Sequence, residues 1–215
     1  VDAKLIYFAN PDNPMGTHVP GFEIVEALKD LPEGCLFILD EAYSEFAPAS
    51  SLPSLEITDM RVVRLRTFSK AYGMAGARVG YAMAEENLIN SFEKIRNHFG
   101  MSRSAQKAAL EALSDDQWLL EMVQKVENGR QRIYKIAASN NLKSITSSTN
   151  FVAIDCCKDG KFAKKVLTEL ISLGIFVRMP FVSPQDRCIR VSVGKKRDLD
   201  RFEEALPKAL RQASK

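Results

Sequence analysis

Residues 36–43 read LFILDEAY: four apolar residues, Leu36 to Leu39, run straight into two carboxylates, Asp40 and Glu41. A short apolar run of this kind reads as a strand of a parallel sheet covered on both faces. Charges at the end of such a strand are costly unless something there needs them. The segments around it extend the pattern. Residues 4–9 form a strand, followed by a Pro/Asn loop, NPDNPMG (10–16), whose composition forces a turn. Phe22, Val25, Glu26 and Leu28 mark a short amphipathic helix ending near Gly34. Further strands follow at 61–68 and 79–84, separated by a Pro/Ser-rich loop (47–59) and a glycine-containing loop. Strands alternating with helices imply an α/β fold with a mostly parallel sheet.

The character changes after about residue 85. Residues 86–97 and 104–113 read as helices, and 117–140 carry Leu120, Val123, Val126, Ile133 and Ile136 at the spacing of one long amphipathic helix. Strand, helix, strand, strand and helix patterns then follow at 151–156, 161–173, 175–178, 188–193 and 199–212, an α+β unit with its own sheet. The expected division is 1–100 for the first domain and 101–215 for the second, with the long helix in the second.

Bulk properties exclude several classes. The chain has 215 residues, 46% hydrophobic and 27% charged, with a net charge of +3 and no basic stripe of the kind a nucleic-acid surface needs. No apolar run reaches the ~18 residues of a membrane helix. Cys35, Cys156, Cys157 and Cys188 form no C-x-x-C pair and lie far in sequence from His18 and His98, so no metal site is expected and a reducing cytoplasm fits. The hhhhDE pattern also fits a nucleotide-binding magnesium carboxylate, but the partner loop G-x-x-x-x-G-K-[ST] is absent from the sequence. The chain starts at Val1 with a strand pattern close behind, the look of a piece cut from a longer one.

The most informative stretch is TFSKAYGMAGARVGY (67–81). Ser69 and Lys70 directly follow a strand and so stand at the sheet's C-terminal edge, where ligands of open α/β sheets collect. Arg78 lies eight residues on, past the small residues Gly73, Ala75, Gly76 and Ala77. A hydroxyl and a guanidinium converging there suit a phosphate.

These residues resemble those of fold-type I pyridoxal-phosphate aminotransferases of class I/II, most nearly the histidinol-phosphate aminotransferase branch. NPDNPMG resembles the family's Asn-Pro-x-x-Pro-x-Gly loop, with Met15 where the family usually has threonine. DEAY resembles its Asp-x-x-Tyr motif, the 67–81 stretch its Ser-Lys…Arg motif, and CIRVSVG (188–194) the strand carrying its substrate-carboxylate arginine. The resemblance spans the chain but starts in the middle of the family's large domain, so it implies the C-terminal part of such an enzyme. It further implies pyridoxal 5′-phosphate as cofactor, covalently attached to Lys70, with Asp40 facing the pyridine nitrogen. Asn13 and Tyr43 face the ring's 3′-oxygen, and Thr67, Ser69 and Arg78 lie at the cofactor. Arg190, Arg178 and Asn13 are the implied substrate contacts. The reaction implied is amino transfer between a small amino acid or amino alcohol phosphate, of the histidinol-phosphate kind, and a 2-oxo acid, 2-oxoglutarate, in a cytoplasmic homodimer. Two other readings are a non-catalytic fragment that keeps these residues as relics, and a related decarboxylase of a phosphorylated amino acid.

Overall fold

The computed structural model describes residues 3–215. The chain divides into two compact units, the first comprising residues up to Pro11 and His18–Val123, the second Asp12–Thr17 and Gln124–Lys215. The division falls inside the long helix, and the six-residue excursion Asp12–Thr17 counts with the second unit.

The first unit is built on a four-stranded sheet in the order β1 (Leu5–Ala9), β2 (Leu36–Asp40), β3 (Val62–Thr67), β4 (Gly80–Met83). The first three strands are parallel and β4 is antiparallel to β3. The direction of β4 follows from its connection. Residues 68–79 form a connection of only about a dozen residues, the lower limit for the crossover that a parallel return requires, whereas an antiparallel return needs far less. Helix α1 (Gly21–Ala27) covers one face, where Ile24, Leu28, Phe37, Leu39 and Val62 form a core. The other face stays accessible, in contrast to the two-sided cover expected for β2. Leu36 and Ile38 are half-buried, and Leu5 and Tyr7 on the edge strand are exposed. Phe22, on α1, is exposed as well.

Helices α2 (Glu86–Phe92), α3 (Arg103–Leu113) and α4 (Asp116–Ser139) follow. Ser102 caps α3 by accepting from the Ala105 N–H, and two of that helix's alanines, Ala105 and Ala109, are buried against Phe68 and Val79. Among the described residues no helix is long and apolar enough to cross a membrane.

The second unit holds a three-stranded antiparallel sheet, β5 (Lys143–Ser144), β6 (Phe151–Asp155), β7 (Cys188–Ser192), with helices α5 (Gly160–Ser172) and α6 (Lys196–Ala213). Its core is drawn from α4, β6, α5, β7 and α6. Ile133, Val152, Ile154, Val166, Leu170, Ile189 and Leu206 are fully buried, each contributing on the order of 1.5–3 kcal/mol. Two helices start earlier than the apolar periodicity indicates, because their caps are polar. Asp159 accepts from the Phe162 N–H before α5, and the Asp198 carboxylate accepts from the Lys195 N–H before α6. The strand expected at 175–178 reduces to a single bridge between Arg178 and Arg190.

Candidate active site

Three parallel strands end side by side in the first unit, and the pairing register aligns Ala9 with Asp40 and Asp40 with Leu65. Their C-terminal edge therefore carries Asp40, Thr67 and the loop that starts with Phe68. Burial fixes that loop. Phe68 and Ala71 are buried on either side of Ser69 and Lys70, and the Phe68 ring packs on Tyr72 and Tyr81 at centroid distances of 4.9 and 5.7 Å. The Ser69 N–H donates to Thr67 Oγ1 at 3.1 Å. Ser69 and Lys70 are thus the half-exposed pair between two anchored residues.

The Lys70 ammonium stands 5.1 Å from the centroid of the Tyr43 ring, a cation–π contact, and Tyr43 itself is buried. Asp40 Oδ1 accepts from the Ala42 N–H at 2.9 Å, and Oδ2 accepts from the Tyr7 hydroxyl. The chain enters the left-handed region at Arg78 (φ 52°), whose Nη1 donates to the Ala75 carbonyl at 2.8 Å. The donor set of this edge is chemically suited to pyridoxal phosphate. It offers a carboxylate for a pyridinium, a primary amine for an aldehyde, a buried phenol, and hydroxyl and guanidinium groups for a phosphate.

Asn13, Arg178 and Arg190 belong to the second unit. The excursion that carries Asn13 is fixed there by Met15, which packs on Ala153 and Cys188, and by Gly16, whose carbonyl accepts from the Ser148 N–H at 2.7 Å. Gly16 has φ +84°, and a Cβ at that position would lie 2.6 Å from Ser147 Oγ, so glycine is required. Met15 thus has a packing role. Arg190 donates to Asn13 Oδ1, and its guanidinium lies 4.7 Å from the Phe151 ring centroid. Arg178 and Arg190 exchange both backbone hydrogen bonds (3.1 and 2.6 Å), which puts their side chains on one face. They border an open, mostly apolar groove of about 560 Å³ lined also by Pro14, Phe176, Met179 and Phe181.

In the Pro/Asn loop, the neighbouring Asn10 is structural. It is buried, donates to the Val19 and Ser51 carbonyls and accepts from the Val19 N–H, so it pins the chain where the excursion leaves and re-enters the first unit. Two residues that the motifs do not single out also stand at this sheet edge, Tyr7 and Glu41. The sequence signal for Glu41 is the pair Arg64 and Arg66 at alternate positions of β3, since charges on a covered strand face need a counter-charge.

The sequence profile of the family "Aminotransferase class I and II" matches residues 1–206. The chain belongs to the class I and II aminotransferases. Among its relatives in this family, the histidinol-phosphate aminotransferase of Geobacillus sp. (strain WCH70) is 37% identical, over 97% of this chain and 57% of the relative. Histidinol-phosphate aminotransferase 2 of Carboxydothermus hydrogenoformans is 40% identical over 89% of this chain and 53% of the relative. The crystal structure of the histidinol-phosphate aminotransferase from Sinorhizobium meliloti, in complex with pyridoxal-5′-phosphate, superposes with a TM-score of 0.96 at 48% identity, covering 98% of this chain and 58% of that one. This aminotransferase chain therefore spans little more than half the length of the relatives it matches. The α/β fold with its parallel-dominated sheet is that of the family.

Proposed function

We infer that this chain carries the lysine-bearing part of a pyridoxal-phosphate aminotransferase that exchanges an amino group between an anionic, histidinol-phosphate-like donor and 2-oxoglutarate. The observation that carries the reading is the convergence of Asp40, Tyr43, Thr67, Ser69 and Lys70 on one sheet edge, with Arg78 closing the same loop. When bound, pyridoxal phosphate supplies an electron-withdrawing ring that acidifies the donor's α-carbon proton. Asp40 holds a negative charge against the pyridine nitrogen and keeps it protonated. Lys70 would anchor the cofactor through its amine, and its Nζ would take and return a proton. Tyr43 faces the ring's 3′-oxygen, while Thr67, Ser69 and Arg78 hold the phosphate.

On the second unit, Asn13 and Arg190 take the donor's anionic group, and Arg178 its distal part. Two arginines at directly opposed positions suit an anionic substrate group. The loop Arg178-Met179-Pro180-Phe181 lines the specificity pocket. The first unit corresponds to the family's large domain and the second to its small domain, in a cytoplasmic homodimer.

Titrating the chain with pyridoxal phosphate tests this reading. An absorption band of lysine-bound cofactor is expected. It should vanish in Lys70→Ala, bleach with an amino donor and return with 2-oxoglutarate. A folded chain that gives no band is a relic, and carbon dioxide release without bleaching identifies a decarboxylase. Either result overturns the reading.

A further inference from the structure

Glu41 is 1% exposed and sits directly after Asp40. Its peptide N–H donates to the Leu65 carbonyl at 2.9 Å, extending the β2–β3 ladder one step past the strand end. Its carboxylate is gripped from β3 by both atoms of a fork. Arg64 Nη2 donates to Oε1 at 2.6 Å and Arg64 Nε to Oε2 at 2.9 Å, and Arg66 Nε adds a third bond to Oε2 at 3.2 Å. The other acid nearby, Glu45, is 3.9 Å from Arg66 Nη1, beyond hydrogen-bond distance, and burial pushes its carboxyl above the ordinary range. Among the described residues, Glu41 is therefore the one carboxylate that answers both guanidiniums through hydrogen bonds. A paired, bidentate contact of this kind fixes both distance and angle between the groups that bear it. Those groups are adjacent to the chemistry. Asp40 precedes Glu41 by one residue, and Lys70 follows Arg66 by four, through the anchored Phe68.

We propose that Glu41 is a positioning residue whose grip on Arg64 and Arg66 locks the exits of β2 and β3 together and so sets Lys70 relative to Asp40. The inference rests on the pyridoxal-phosphate reading of that edge. Glu41 touches neither cofactor nor substrate in this role; it acts through the strand ends.

The test uses pyridoxal phosphate itself with wild type, Glu41→Gln and Arg64→Lys. The readouts are cofactor dissociation constant and the pH midpoint of the bound-cofactor absorbance, both taken well below each variant's melting temperature. Wild-type binding is measured first, so that failure of the cofactor reading is seen separately from failure of the Glu41 proposal. Both variants are expected to fold, to bind the cofactor at least tenfold more weakly and to displace the pH midpoint, because the amine and the carboxylate are no longer held at a fixed spacing. A variant that only melts earlier, with wild-type dissociation constant and midpoint, overturns the proposal and leaves an ordinary structural ion pair. If Glu41→Gln does not fold, Arg64→Lys carries the test, since lysine keeps the buried carboxylate neutralised. Failure of both to fold also overturns it, because the cluster is then a requirement for folding.

Discussion

The Tyr7 hydroxyl on β1 donates a hydrogen bond to Oδ2 of Asp40 on β2, tying the exposed edge strand to the carboxylate at the centre of the proposed site. Partial withdrawal of the phenol from water, and then the hydrogen bond and negative charge of Asp40, push its pKa from 10.0 up to about 12. The folded protein thus holds this proton more tightly than the unfolded chain does. The stability it contributes is complete below about pH 10 and is lost as pH rises toward about 12. Urea unfolding of wild type should weaken more between about pH 9 and about pH 11.5 than that of Tyr7→Phe. Spectrophotometric titration should show a late-ionising tyrosine that moves down in Asp40→Asn and is lost in Tyr7→Phe. Identical profiles would mean that the contact does not hold in solution.

Gly129 lies inside α4, where alanine would ordinarily be favoured by about 1 kcal/mol. A Cβ at that position would come within 2.3 Å of Val193 Cγ1, on a β-branched side chain that is stiff about χ1. Overpacking outweighs propensity here. Gly129→Ala is expected to destabilise by about 1–3 kcal/mol in thermal or denaturant unfolding, and adding Val193→Ala should recover most of the loss.

The four cysteines differ sharply in reactivity. Burial pushes Cys156 up to about 12 and Cys188 up to about 11, Cys35 is buried, and Cys157 is exposed. A thiol reagent at neutral pH should label one cysteine of the native protein, lost in Cys157→Ser, and all four after denaturation.

Arg190→Lys keeps the charge and loses the two-point fork. The variant should lower kcat/KM for the anionic donor by roughly 10- to 100-fold, mostly through KM. An unchanged donor KM in steady-state kinetics would remove Arg190 from the substrate site.

How much of this was legible in the sequence differs by element. The sheet edge was readable because apolar runs end abruptly in chemistry-bearing residues at Asp40 and at Thr67-Phe68-Ser69-Lys70. The long helix and the core of the second unit were readable from periodicity at Ile133, Ile136, Val166 and Leu170. The direction of β4 was not, because an apolar run looks the same in either sense. The open second face of β2 was hidden for a similar reason. A run such as Leu36–Leu39 reports hydrophobicity and says nothing of what packs on each side. Strand β5 has two residues and carries no pattern at all. Tyr7 and Glu41 were missed because their importance lies in partners on neighbouring strands, Asp40 and the Arg64/Arg66 pair, and register is a three-dimensional property.

The most direct test of the account is where the cofactor bonds. The chain is incubated with pyridoxal phosphate, reduced with borohydride, digested and mapped by mass spectrometry. One cofactor per chain is expected, on the peptide containing Lys70, with Asp40→Asn lowering the yield. Label spread over surface lysines such as Lys161 and Lys164, with Lys70 unmodified, would contradict it.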